Sequence, residues 1–323
     1  MTTAPPIFPL AGRRVFVAGH RGMVGAALVR RLDREDCETI TVERAVVDLR
    51  DQRAASAWLE SQRPEVIFVA AATVGGIAAN DSRPAEFLYD NLMIEANLIH
   101  AAYRIEAAKL IFLGSTCIYP KLAPQPMQEA ALLTGPLEPT NEWYAIAKIA
   151  GIKLCQAYRK QYDCDFIAAM PTNLYGPGDN FDLESAHVLP ALMRKIHAAK
   201  QAAAPSVEIW GSGKPTREFL YVEDAADALV FLAKHYSGAE HVNVGSGSEI
   251  AIGELAARIA QVIGFRGSFR FDAGRPDGAP RKLADSSRLA ALGWRAATNL
   301  DDGLAATYRW FVDHARDARG MAA

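Results

Sequence analysis

Tyr144 and Lys148 stand four residues apart in Thr140-Asn-Glu-Trp-Tyr-Ala-Ile-Ala-Lys148. On a helix that spacing puts both side chains on one face, one turn apart. An ammonium beside a phenol favours the phenolate, which predicts a tyrosine pKa below its reference of about 10. Such a pair can give or take a proton at a substrate oxygen near neutral pH. The same spacing is common on solvated helices, so the chemistry depends on what else the chain supplies. A second reactive group follows the apolar run Leu110-Ile-Phe-Leu113, where Gly114-Ser115-Thr116-Cys117 brings two hydroxyls and a thiol together. In open α/β sheets ligands bind at the carboxyl ends of strands. A cysteine there is equally common as a small buried filler.

A cofactor is suggested near the N-terminus. Arg14-Val-Phe-Val-Ala18 reads as a buried parallel strand and runs into Gly19-His20-Arg21-Gly22-Met23-Val24-Gly25. Val24, Leu28, Val29 and Leu32 then recur at helical spacing. Strand, glycine turn and helix are the context of a dinucleotide site, where amides at the helix start face a pyrophosphate. The spacing is GxxGxxG, not the GxGxxG of many dehydrogenases. A second strand, Thr39–Val42, leads to Glu43 and Arg44. An acid at this point suits the ribose hydroxyl of NAD and an arginine suits the 2′-phosphate of NADP. Arg44, helped by Arg21, favours NADP(H). Asp48 and Leu49 lie by the adenine, or Asp48 caps the next helix.

Strand and helix patterns alternate as far as Phe166–Met170, predicting a Rossmann-type, doubly wound parallel α/β sheet. The alternation breaks after Pro177, where a smaller α/β part begins. The expected division is 1–176 for the dinucleotide-binding domain, with 217–240 returning to it, and 177–216 with 241–323 for the substrate domain. Arg275–Lys282 reads as a polar loop.

The 323 residues are half hydrophobic and 22% charged, with a formal net charge of −2. That balance gives no argument for a nucleic-acid or membrane partner. The N-terminus lacks a signal-peptide pattern, and the longest uncharged stretch, Val66–Asn80, is too short to span a bilayer. Cys37, Cys117, Cys155 and Cys164 show no CxxC, which predicts reduced thiols in a cytoplasmic protein. No metal site is expected.

The glycine turn, Ser115 and Tyr144-xxx-Lys148, in this order, resemble the extended short-chain dehydrogenase/reductase superfamily. Within it, Gly114-Ser-Thr-Cys-Ile-Tyr-Pro120, Glu138-Pro-Thr-Asn-Glu142, Pro171-Thr-Asn-Leu-Tyr-Gly-Pro177, Trp210-Gly-Ser-Gly213, Arg217-Glu-Phe219 and Pro276-Asp-Gly278 resemble the GDP-L-fucose synthase family. The resemblance implies a homodimeric, NADP-dependent 3,5-epimerase/4-reductase acting on GDP-4-keto-6-deoxy-D-mannose. It assigns Ser115, Tyr144 and Lys148 to the keto oxygen and cofactor, and Cys117 and His187 to proton exchange at carbons 3 and 5. It assigns cofactor contacts to the turn from Gly19 to Gly25, to Arg44, Asp48 and Leu49, and to Leu113, Gly114, Ser115 and Thr116. Lys148, Pro171, Thr172, Asn173, Leu174 and His187 complete that set. Lys195, Trp210, Arg217 and Asp277 are implied to hold the GDP-sugar. A lone histidine such as His187 is otherwise usually a surface or capping residue. Trp143 and Thr116 depart from the family pattern while leaving the reactive atoms in place. The rival readings are a nucleotide-sugar 4-epimerase or dehydratase of the same superfamily, and a non-catalytic dinucleotide-sensing or RNA-binding relative. Cys117-Ile118 stands where a dehydratase is expected to carry an acidic pair. A 4-epimerase has no use for Cys117 with His187, and a binding module has none for Ser115, Tyr144 and Lys148.

Overall fold

The computed structural model describes residues 6–274 and 277–314. Arg275 and Pro276 of the expected polar loop, and the outer ends of the two expected domains, lie outside the described residues. The chain runs β1 (Arg14–Ala18), α1 (Met23–Leu32), β2 (Glu38–Ile40), α2 (Gln52–Gln62), β3 (Val66–Val69), α3 (Ile77–Ser82), α4 (Pro84–Arg104), β4 (Lys109–Leu113), α5 (Glu142–Tyr162) and β5 (Phe166–Pro171). It continues through β6 (Asn173–Tyr175), α6 (Val188–Gln201), β7 (Ser206–Trp210), β8 (Thr216–Tyr221), α7 (Val222–His235), β9 (Val242–Val244) and β10 (Glu249–Ala251). The last elements are α8 (Ile252–Ile263), β11 (Ser268–Asp272), β12 (Arg281–Lys282), α9 (Ser287–Leu292) and α10 (Leu300–Asp313).

Six parallel strands form the main sheet in the order β2-β1-β3-β4-β5-β9. Alternate side chains of β1 enter opposite cores, as strand geometry requires. Val15 and Val17 pack with α1 and α7, while Phe16 and Ala18 pack with α4 and α5. Burial on both faces explains why these strands read as continuous apolar runs. The winding reverses between β1 and β3, the switch point at which α/β sheets open a ligand crevice.

The smaller part packs a third core of α6, α8 and α10 against β7 and β8. Here β8 pairs with β6, β10 and β12, and β7 pairs with β11. The expected boundaries need correction. Within 217–240, α7 packs into the main core, whereas β8 belongs to the second sheet. Strand β9, expected in the substrate domain, pairs with β5 as the edge of the main sheet. Leu289 of α9 and Trp294 also join the main core. Glu218 ties these passages together from a fully buried position on β8. Its carboxylate accepts the N–H of Gly247 at 2.7 Å and of Ala284 at 2.9 Å, while its carbonyl accepts from Asn173 at 2.8 Å.

Candidate active site

The glycine turn is as tight as its sequence requires. Gly19 has φ +84°, and a Cβ there would lie 2.7 Å from the Ala71 backbone. A Cβ on Gly25 would lie 2.1 Å from the Gly19 carbonyl oxygen. Gly22 precedes helix α1 as its N-cap and has no side chain to cap it, so the first amides of the helix are left open at the end of β1. This cradle, which a Cβ would fill, fits the pyrophosphate of a dinucleotide.

At the end of β2, Glu43 is held by Arg21 at 2.7 Å and by His20 at 3.5 Å. Arg21 keeps the Glu43 carboxyl below its usual range. The acid that would take a ribose hydroxyl is thus neutralised, and Arg44 is left 71% exposed beside it, 3.9 Å from Asp48. The guanidinium of Arg50 grips Asp48 at 2.6 Å and holds its pKa down at about 2. Asp48 does not cap α2. That role falls to Asp51, which accepts from Arg53 and Ala54. We expect Arg44→Ala to weaken NADPH far more than NADH, by roughly 1.5–3 kcal/mol for a lost hydrogen bond to a charged group. Titration of both cofactors checks this, and equal losses would remove Arg44 from the selection of NADPH.

Pro139 to Asn141 form a short 3₁₀ turn that leads into α5, with Glu142 in its first turn favouring the helix start. Gly151 lets α5 press on β4, since a Cβ there would meet the Phe112 ring at 2.3 Å. Lys148 consequently lies under the sheet, 4.8 Å from the Phe112 ring centre and 5.8 Å from that of Tyr144. Phe87 meets the Tyr144 ring edge-on at 6.3 Å and fixes its orientation.

The expected direction of the Tyr144 shift is reversed. Burial within the cleft walls, then the proximity of Cys117 and Glu95, push the phenol well above its ordinary pKa. The Lys148 ammonium is drawn instead to Glu95 of α4, 3.7 Å away. Burial lowers the Lys148 pKa and Glu95 opposes that drop. Tyr144 is therefore a phenol at rest, the form that donates a proton.

At the end of β4 the Ser115 hydroxyl oxygen accepts the Cys117 N–H at 3.5 Å, opening a 3₁₀ turn through Ile118. Burial raises the Cys117 thiol, against the pull of Ser115, Lys282 and Lys148. His187 opens α6 with its side chain exposed to the cleft. The surrounding walls lower its imidazole, an effect that cleft water moderates. Both groups are uncharged at rest, one able to give a proton and one able to take it.

Ser115, Cys117, Tyr144 and His187 share one cleft of about 600 Å³ with Lys195, Trp210, Arg217, Asp277, Asn173 and Leu174. Lys195 lies 4.8 Å over the Trp210 ring. Arg217 bonds the Thr216 carbonyl at 2.8 Å, and burial lowers its pKa. Both Asp277 oxygens are taken at 2.7 Å by the N–H and hydroxyl of Ser212, so Asp277 builds the turn after β7. A second depression of about 550 Å³, lined in part by Glu249, Arg258 and Asp301, contains none of these residues. Among the described residues no cluster of side chains suits a metal ion.

Two charged residues escaped the sequence reading. Glu95 lies three positions from both Leu92 and Leu98, so a charge interrupting the apolar face of α4 was its visible signal. Lys282, which lines the cleft and opposes the rise that burial imposes on the Cys117 thiol, had no signal at the end of a polar loop.

The profile of the NAD dependent epimerase/dehydratase family matches residues 15–245. The GDP-L-fucose synthase of Sinorhizobium fredii (strain NBRC 101917 / NGR234) is 59% identical over 312 residues, covering 97% of this chain and 99% of its own. That of Escherichia coli (strain K12) is 51% identical, covering 96% of this chain and all of its own. The crystal structure of a GDP-L-fucose synthetase from Naegleria fowleri bound to NADP has a TM-score of 0.91 at 30% identity, over 98% of each chain. Similarity of this extent, in sequence and in fold, means that the chain belongs to the NAD dependent epimerase/dehydratase family, in its GDP-L-fucose synthase branch.

Proposed function

We propose that this NADP-dependent enzyme converts GDP-4-keto-6-deoxy-D-mannose to GDP-L-fucose, by epimerising carbons 3 and 5 and reducing the ketone at carbon 4. The observation that carries this reading is the meeting of Ser115, Tyr144, Cys117 and His187 in one cleft. Hydrogens on carbons 3 and 5 are α to the carbonyl, so removing either leaves an enolate on oxygen 4. Ser115 and Tyr144 hydrogen-bond that oxygen where charge develops. Cys117 and His187 serve opposite ring faces, one removing a proton and the other returning one, which inverts each centre. Bound NADPH would supply the hydride for carbon 4. Tyr144 then gives its proton to the alkoxide, while Lys148 holds the nicotinamide ribose.

The cofactor is held by the Gly19–Gly25 turn, Arg44 and the strand ends at Leu113–Thr116 and Pro171–Leu174. Lys195, Arg217 and Lys282 give the sugar side of the cleft a cationic wall for a diphosphate. Incubation with GDP-4-keto-6-deoxy-D-mannose and NADPH, with product stereochemistry read by NMR, tests the reading. No NADPH consumption, or a product lacking inversion at carbons 3 and 5, would refute it.

The assembly we propose is a homodimer joined through α4 and α5, whose Tyr89 and Tyr162 stand exposed. Light scattering that gives the mass of one chain would refute it. No helix among the described residues is long and apolar enough to cross a membrane, and the four cysteines are unpaired, which supports a cytoplasmic setting.

A further inference from the structure

Glu95 is the one carboxylate that meets the catalytic lysine among the ion pairs of the described residues, and nothing in the proposed chemistry uses it. It projects from α4 into the core and is 2% exposed, as is Lys148. The 3.7 Å between them is longer than a hydrogen bond, and neither Glu95 oxygen has a hydrogen-bond partner. Burying two such charges in so loose a pair is poor design for stability, because desolvation outweighs the attraction unless the geometry is tight. An apolar pair would serve the core better, so the arrangement calls for a functional reason.

We propose that Glu95 is the positioning residue of the reductive site, keeping Lys148 an ammonium in its dry pocket and reinforcing the phenol form of Tyr144. Its negative charge acts on both residues in the direction that reduction needs. It opposes the loss of the Lys148 proton that burial promotes. It also disfavours the Tyr144 phenolate, leaving a proton ready for the alkoxide at oxygen 4. A tyrosine meant to accept a proton would be served by the opposite arrangement, a lysine with no carboxylate behind it. Glu95 thus biases the pair toward giving a proton to a ketone and away from taking one from an alcohol. This inference rests on the reductase reading above.

Glu95 faces Lys148, Tyr144 and Cys155 from α5, and Cys117 faces Tyr144 and Lys148 from the end of β4. The segment before α2 meets α4 elsewhere, through Arg50 on Asp90 and the Asn97 amide on the Leu49 and Arg50 carbonyls. Burial, partly offset by Lys148, lifts the Glu95 pKa to about 7. Its ionisation therefore falls within the working pH range. Above that value the carboxylate is charged and holds Lys148. Below it Glu95 becomes neutral and the hold is lost.

The test uses Glu95→Gln, close in shape, with Lys148→Met and the double variant, which removes both buried charges together. NADPH oxidation with GDP-4-keto-6-deoxy-D-mannose is followed from pH 5.5 to 9.5. In Glu95→Gln the acid limb near neutrality should disappear. The alkaline limb should move down by about a unit or more as Lys148 loses its proton more easily. Because burial by itself keeps Tyr144 a phenol, the effect of Glu95 on rate passes through Lys148, and adding Glu95→Gln to Lys148→Met should change kcat by less than about twofold. A Glu95→Gln profile that superimposes on the parent, or rate losses that multiply in the double variant, would overturn the inference. A parent enzyme that fails to oxidise NADPH would instead overturn the reductase reading.

Discussion

Tyr144→Phe should bind NADPH and the GDP-sugar as tightly as the parent and lose reduction by about 10²–10⁴-fold, the usual worth of a positioned general acid. The substitution removes one hydroxyl and keeps the ring that packs edge-on against Phe87. Binding is spared because the cradle at Gly19–Gly25 and the cations at Arg217 and Lys282 belong to other elements. The chemistry suffers because the alkoxide at oxygen 4 has no other proton donor held in phenol form. Ser115 remains and still hydrogen-bonds oxygen 4, but an aliphatic hydroxyl is a far weaker acid than a phenol and does not replace the proton. Stopped-flow NADPH oxidation beside equilibrium binding separates the two effects. Reduction at a near-parental rate would show that Tyr144 is not the acid.

Loss of α-proton exchange in Cys117→Ser and His187→Ala is the second large effect. In deuterated water without NADPH, the parent should wash label into carbons 3 and 5 of the keto sugar. Cys117→Ser keeps the size of the side chain but replaces a thiol by a far less acidic hydroxyl. Exchange should fall by about a hundredfold or more, the range for a general acid-base group. His187→Ala removes the partner on the facing wall and should fall similarly. Any ketone either variant still reduces should emerge without the full double inversion. Mass spectrometry of the recovered sugar reads the label, and NMR locates it. Undiminished exchange at both carbons in the double variant would remove these residues from the epimerase role.

The parts of this site that sequence revealed are those built from neighbouring residues. The glycine turn was readable because strand, turn and helix are contiguous from Arg14 to Leu32. Tyr144 and Lys148 were readable because one helix carries both. The direction of the Tyr144 shift was not, since it is set first by burial in a cleft built from distant segments, with Glu95, 49 positions earlier and on a different helix, adding to it. The short run of β9 gave no hint that it pairs with β5, because β-pairing partners are set by tertiary packing and not by local pattern. Asp277 illustrates a different limit. An acid in a turn reads equally as a ligand contact or as a brace, and here its oxygens brace Ser212.

The chain crosses between the main-sheet part and the smaller part at 171–173, 221–222, 245–248, 283–286 and 295–299, and buried Glu218 links three of these crossings. The smaller half is therefore no detachable cassette. A cut at any one crossing leaves the rest still threading both halves, so neither half can be expressed alone or exchanged whole with that of a relative. Sugar preference in such an architecture has to drift one wall residue at a time, with the dinucleotide half carried along unchanged. The same threading limits how far the halves can swing apart, so the cleft can admit a GDP-sugar only by a small opening shared among several short connections.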